Sequence, residues 1–165
     1  MKNTDRPEIP PVGLVAHDHA ACMASALAQA EKSCAENGLR MTPVRRRSLE
    51  ILLESHVAMG AYDVLARLAA EGLGDKPPVA YRALSFLVEN GFAHRIEKLN
   101  AFVACSHPGK SHEAVFLICR KCHKVGEADL PMPMIGDVGP DGFRVERMVI
   151  EAEGLCPDCQ RTEAA

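Results

Sequence analysis

No run of apolar residues in this chain approaches the ~18 needed to cross a bilayer as a helix. The opening stretch, MKNTDRPEIPPVG, has charges and prolines but no apolar segment behind them, so a secretory signal is not expected. There is no internal repeat and no low-complexity tract. There is also no excess of basic charge: the formal net charge is −3, which excludes a protein that coats nucleic acid indiscriminately but leaves room for a local basic face. Neither a nucleophile–base arrangement nor a phosphate-binding glycine loop is present, so no enzyme is expected and no organic substrate. Together these absences point to a soluble cytoplasmic protein.

What is present is cysteine. Seven cysteines in a reducing compartment read as metal ligands or free thiols rather than as a disulfide framework. The length of 165 residues accommodates one ordinary domain or two small ones, and 47% apolar residues suffice for a packed core.

The patterning predicts two units of different character. Residues 1–16, with three prolines, read as a flexible arm. From about His17 to Asn37 an alanine-rich helix is expected, stopped by Gly38. In MTPVRRRSLEILLESH, Thr42 is a natural N-cap and Pro43 a natural first helical residue, with Leu49, Leu52 and Leu53 on one face. GAYDVLARLAAEG gives a third short helix. A fourth, PPVAYRALSFLVENG, starts at its prolines and should bury Ala80, Leu84, Leu87 and Val88, which turns Tyr81, Arg82, Ser85 and Glu89 outward. FAHRIEKLNAFVAC alternates around KLNA as a β-hairpin. Helices followed by a hairpin over residues 17–104 have the shape of a winged helix-turn-helix. Residues 105–165 are strand-like in EAVFLIC and FRVERMVIEAEG, while DLPMPMIGDVGPDG between them, at 129–142, argues against a long helix. The fold class is α+β.

Three groups of residues can carry chemistry. CRKC at Cys119 and Cys122, with CPDC at Cys156 and Cys159, supplies the four thiolates of a tetrahedral structural zinc. A thiol-redox pair is the weaker reading, because neither CxxC is expected to open a helix within a βαβ unit. A second metal shell could be drawn from His94, Cys105, His107, His112, His123 and Glu127, and spacing does not choose among them. On the fourth helix, Arg82 can present its guanidinium to guanine and Tyr81 can meet a base edge, with Val79 and Ser85 as secondary contacts. Arg40, Arg45, Arg46 and Arg47 sit where phosphate contacts are made. His17, His19 and Cys22 read as exposed polar positions near a helix start rather than as a site.

Taken together, LRMTPVRRRSLEIL, AYDVLARL, KPPVAYRALSFLVENGFAHRIEKLNAFVAC, FLICRKCHKVGE and VIEAEGLCPDC resemble the ferric uptake regulator family, and within it the zinc uptake regulator branch, from about Ala30 to Cys159. The resemblance implies a winged-helix DNA-binding domain, an α/β dimerisation domain, and a homodimer that represses transcription from double-stranded operator DNA when metal is bound. It implies structural zinc at Cys119, Cys122, Cys156 and Cys159, and a regulatory zinc at His94, Cys105, His112 and Glu127, hence two zinc ions per chain. His107 and His123 become bystanders, and Tyr81 and Arg82 match the family's base-contacting pair. VAYR lacks the threonine usual before that tyrosine, which bears on operator preference. DLPMPMIGDVGPDG stands where relatives carry a helix, so a changed dimer interface is expected.

The thiolate of Cys105 favours zinc over iron(II) or manganese(II), for which nitrogen and oxygen ligands suffice. A zinc-responsive repressor of zinc uptake genes is therefore expected. An iron- or peroxide-responsive regulator of the same family is the nearest alternative, and a thiol-redox or metal-storage protein without DNA binding is the alternative of another class.

Overall fold

The computed structural model describes residue 14 and residues 17–109, 114–128, 142–144 and 148–163. The expected arm, His112 and all but the last residue of the 129–142 segment thus lie outside the described residues, apart from Leu14.

The first unit is built from helices whose ends are written in local sequence. Helix α1 (His19–Glu36) is capped by Asp18, whose carboxylate accepts from the Ala21 N–H at 3.1 Å. It stops at Gly38, which adopts φ +65°, a conformation that costs glycine little. Helix α2 (Pro43–Leu53) starts at Pro43, with Thr42 as its cap. Helix α3 (Ala61–Ala70) follows Gly60, whose N–H donates to Asp63. Helix α4 (Pro77–Glu89) starts at its two prolines and ends at Gly91, φ +70°.

Leu49, Ile51 and Leu52 of α2, Val64 and Leu68 of α3, Leu84 and Leu87 of α4, and Phe92 form the core between these helices. Each such side chain, removed from water, contributes about 1.5–3 kcal/mol before the entropy of ordering is counted. Ala80, Leu84 and Leu87 are buried and Tyr81, Arg82, Ser85 and Glu89 are exposed, as the spacing predicts, while Val88 is only half-buried. Strands β1 (Ala93–Ile96) and β2 (Ala101–Ala104) pair antiparallel, and Asn100 in their turn has φ +46°. Met59 joins this wing through paired hydrogen bonds with Phe102 of 2.9 and 2.8 Å. Helices and wing together are the expected winged helix.

The second unit is a three-stranded sheet of order β4-β3-β5. Strand β3 (Val115–Cys119) runs antiparallel to β4 (Val125–Ala128) and parallel to β5 (Ile150–Gly154). The strand-like pattern of FRVERMVIEAEG thus yields a described strand only at its end. A short helix, α5 (Pro157–Glu163), follows β5 at CPDC. Cys156 does open a helix, because Pro157 is preset for a first helical position, and the Gln160 N–H donates to the Cys156 carbonyl at 3.0 Å. Among the described residues no βαβ unit surrounds this helix.

The two units meet through an apolar layer: Ile96 and Val103 of the wing pack with Phe116, Ile118 and Val125 of the second sheet. The link is also main-chain. Val57 pairs with Lys124, and the Val125 N–H donates to the His56 carbonyl at 2.8 Å. At the wing's turn the N–H groups of Glu97 and Lys98 donate to the two oxygens of Glu151 at 2.6 and 3.0 Å.

Candidate metal centres and nucleic-acid interface

Strand β3 ends at Cys119, and the turn after it brings Cys122 back beneath β5 and α5, where Cys156 and Cys159 wait. The four sulfurs lie within 4.8 Å of one another, and Cys122 and Cys156 are 3.6 Å apart. Sulfurs around one tetrahedral zinc, each about 2.3 Å from it, would be about 3.8 Å apart, so the cage has the right size. The turn is held by main-chain bonds: Cys119 N–H to the Lys124 carbonyl, His123 N–H to the Cys119 carbonyl, both 2.9 Å. His123 takes φ +58° to close it and is exposed, away from the sulfurs. Burial raises the Cys119 thiol, but the N–H groups of Cys156, Cys122 and Lys121 outweigh it and bring the pKa down to about 6. A thiolate-ready sulfur amid three others is a donor set that fits zinc.

The second grouping spans both sheets. His94 on β1, Cys105 just past β2 and Glu127 on β4 bring ligand atoms within 4.8 Å of one another. His94 Nε2 is 3.4 Å from Glu127 Oε1, Cys105 Sγ is 3.9 Å from the same oxygen, and the Ser106 N–H donates to Glu127 Oε2 at 2.8 Å. Burial and the neighbouring Glu127 charge push the Cys105 thiol up to about 12. Burial would raise Glu127 too, but the His94 and Ser106 contacts prevail and draw it down to about 2. The result is a buried carboxylate beside a thiol that keeps its proton, an arrangement a divalent cation would favour by displacing that proton. Sulfur, imidazole and carboxylate together fit zinc. His107 is exposed and gives its main-chain N–H, not its ring, to Cys105 Sγ at 3.3 Å.

A third grouping was not legible as such. His17, His19 and His56 also bring ligand atoms within 4.8 Å of one another. His17 and His19 are therefore not simply polar positions at a helix start, and Cys22, nearby, is not their partner in the cluster. The missing signal was His56, distant in sequence and placed by the fold.

On α4, the Tyr81 ring meets Tyr62 of α3 edge-to-face, centroids 6.3 Å apart, and both are well exposed. Arg82 and Ser85 share that open face. Val79 is half-buried against the helical core instead. Tyr62 escaped the sequence reading because one exposed aromatic on a short helix carries no signal alone. Two of the arginines of α2 are engaged by acidic neighbours. Arg46 pairs with Glu31 and Glu50, and Arg47 with Glu50, Glu54 and Glu71, the last at 2.6 Å. Arg45 lays its guanidinium 3.7 Å from the centre of the Phe86 ring and donates to the Arg40 carbonyl, while Arg40 itself is exposed.

No family model matches the chain. Among characterised proteins, it is 38% identical over 145 residues to the zinc uptake regulation protein of Escherichia coli K12, covering 84% of this chain and 83% of that one. The peroxide operon regulator of Bacillus subtilis is a more distant relative, 26% identical over 142 residues, with 83% and 95% covered. Among solved structures, a zinc uptake regulator complexed with zinc and DNA superposes with TM-score 0.77 at 35% identity, covering 87% of this chain and 98% of that one. The crystal structure of holo XcZur follows at 0.68 and 33%, covering 87% and 99%. Sequence and fold agree: this chain belongs to the zinc uptake regulator branch of the ferric uptake regulator family.

Proposed function

We propose that the chain is a zinc-responsive, DNA-binding repressor of zinc uptake genes that acts as a homodimer, with a DNA-binding domain at 17–104 and a dimerisation domain at 105–165. The observation that carries this reading is the meeting of His94 and Cys105, from the wing, with Glu127, from the second sheet. Those residues would hold a regulatory zinc, with His112 as the fourth ligand the family pattern supplies. Cys119, Cys122, Cys156 and Cys159 would hold a structural one, two ions per chain. The relatives, one of them solved with zinc and DNA, support the same assignment.

A bound zinc supplies one thing at the first of these centres: a metal link between the two units, added to the main-chain bridge, the apolar layer and the Glu151 hydrogen bonds that already join them. The chain's own residues do the rest. Glu127 is held ionised, Cys105 keeps its proton until it has a cation to bind, and β1 carries His94 two residues beyond Phe92, which the α4 turn anchors in the core. Fixing His94 relative to Glu127 fixes α4 relative to the dimerisation domain. In a homodimer this sets the distance between the two recognition helices, which must match successive major grooves. The coupling is reciprocal, so operator DNA should tighten zinc binding.

On the DNA face, Arg82 and Tyr81 are the base-reading pair, with Ser85 beside them and Tyr62 extending the aromatic surface. Val79 serves better as a prop under the start of α4 than as a base contact. Arg82→Ala should weaken operator binding by about 1–3 kcal/mol and relax discrimination at one guanine, as fluorescence anisotropy on operator variants would show. Arg47 is expected to behave differently. Arg47→Ala should lower the melting temperature by a few degrees while leaving the salt dependence of DNA binding unchanged, because its guanidinium is committed to carboxylates. Its partners Glu54 and Glu71 are held below their ordinary pKa, Glu54 first by its bond to Arg67 and then by Arg47, Glu71 by its bond to Arg47. Their contribution is therefore present above the unfolded carboxylate pKa and lost as pH falls through the folded value. A calorimetric series of wild type and Arg47→Ala should converge toward low pH.

The function is tested by gel shifts of the full-length chain on upstream DNA of zinc-transporter genes, with zinc, with iron(II) or manganese(II), and with chelator. Retardation with zinc alone supports this reading, and retardation only with iron or manganese would assign the chain to the other sensory branch. No metal-dependent retardation on any fragment would favour a metal-storage or thiol protein.

A further inference from the structure

We propose that His17, His19 and His56 form a third divalent-metal site, selective for zinc-like transition ions, that ties the start of α1 to the strand carrying Glu127. The proposal rests on the arrangement of these three rings and is independent of whether the chain represses transcription.

The three imidazoles have centroids 5.0, 5.1 and 5.7 Å apart, and His56 Nε2 lies 3.2 Å from His17 Nε2. That closest approach is a hydrogen bond between two rings, and the three ligand nitrogens lie within 4.8 Å of one another, the spacing of donors around a shared centre. Burial first, then the charges of His17, His19 and Lys124, holds His56 below its ordinary value. The orientation of His19 is fixed from outside the cluster. Its Nε2–H donates to the Glu54 carbonyl at 3.0 Å, leaving Nδ1 as the ring atom with a lone pair to offer. A ligating histidine that gives its other nitrogen to a backbone carbonyl is the usual support of a metal site.

The donor set selects the ion. Three imidazoles without a thiolate suit zinc, copper(II) or nickel(II), and leave room for a water at a fourth position. One term works against a cation: the positive end of the α1 dipole is close by. Asp18, between the two histidines and engaged with the Ala21 N–H, offsets it. Without sulfur, this site should bind zinc more weakly than either cysteine-containing centre, and so fill last as free zinc rises.

Its position gives it a consequence. The His56 carbonyl accepts from the Val125 N–H at 2.8 Å, Val57 pairs with Lys124, and Glu127 is two residues further along β4. His56 also lines the same cavity as Cys105 and Glu127. Metal at the three histidines therefore holds α1 against the segment on which the regulatory carboxylate depends.

The test uses full-length protein carrying Cys105→Ser, so that the regulatory centre is disabled, and titrates it with cobalt(II) under reducing conditions. The thiolate cage gives an intense sulfur-to-metal absorption. The proposal expects one further equivalent with only weak visible bands, typical of nitrogen and oxygen ligation. Adding His17→Ala and His19→Gln, both at the outer start of α1, should remove that equivalent and leave the thiolate bands and the circular dichroism unchanged. Isothermal titration with zinc should lose the same equivalent. An unchanged number of equivalents in the histidine variant, or no further equivalent in its parent, overturns the proposal.

Discussion

Replacing Cys119 with serine should release the structural zinc and unfold the region from β3 to α5, while helices α1–α4 and the wing stay folded. The reason lies in how little else holds that end of the chain. Beneath the cysteine cage the buried cluster consists of Cys119, Cys156 and Cys159 themselves, with Leu14, Cys122 and Leu155 only partly covered. Among the described residues no aromatic side chain belongs to it. Strand β5 is half-buried or exposed along its length, Ile150–Gly154, and α5 buries Cys159 alone. Phe116, Ile118 and Val125 pack against the wing, but β5 and α5 add little burial of their own among the described residues, less than the conformational entropy of the segment requires. Structural zinc in small thiolate domains contributes an apparent ~10–16 kcal/mol, which is of the size required. Helices α1–α4 have their own core, centred on Leu49, Val64, Leu84 and Phe92, and depend on none of this. Hydrogen exchange read by mass spectrometry should show protection lost from 115–128 and 150–163 and kept across α2–α4, with one zinc fewer per chain. Full protection in the variant would show that the cage is a dispensable ornament of the second sheet.

Cys105→Ser should have the opposite signature: a folded, zinc-containing protein that no longer responds to zinc. Cys105 is almost fully buried between the wing and β4, and its thiol is already surrounded by the Glu127 carboxylate and the His107 N–H. Serine preserves the volume and the hydrogen bonding but not the soft donor, so the fold loses little and the metal site loses its most zinc-selective ligand. Zinc-dependent operator affinity should fall by at least about 100-fold, about 2.7 kcal/mol, in the range of typical coupling between a ligand site and a DNA site. The structural equivalent of zinc should remain. Anisotropy titrations at buffered free zinc, with metal analysis of the same samples, separate the two roles.

These two cysteines also show what local sequence can and cannot carry. The Cys119–Cys122 and Cys156–Cys159 pairs are legible because each turn supplies two ligands by itself, and only their union needs the fold. Likewise Thr42 and Pro43 mark the start of α2, the prolines before Val79 mark α4, and KLNA marks the wing's turn, with Asn100 at positive φ. The regulatory grouping was open to spacing alone and was narrowed only by family resemblance. The structure brings together three of its members, His94, Cys105 and Glu127, while His112 falls outside the described residues. What stayed hidden depends on partners distant in sequence. Local sequence places Arg46 and Arg47 in a basic cluster but does not show their acidic partners, Glu31 on α1 and Glu71 just past α3. Val79, a candidate secondary base contact from its place on α4, is half-buried against the helical core. His56 had no pattern to announce it, since its neighbours in the cluster are 39 and 37 residues away.

The proposed switch is the filling of the His94–Cys105–Glu127 centre, which converts a folded chain into its DNA-binding form. The most direct measurement prepares full-length wild-type protein with only its structural zinc, then follows operator binding by anisotropy and zinc content together as buffered free zinc is raised. Weak binding is expected at one zinc per chain and a steep gain in affinity as the second equivalent enters, with no such gain from iron(II) or manganese(II). Equal operator affinity at one zinc and at two would contradict the switch.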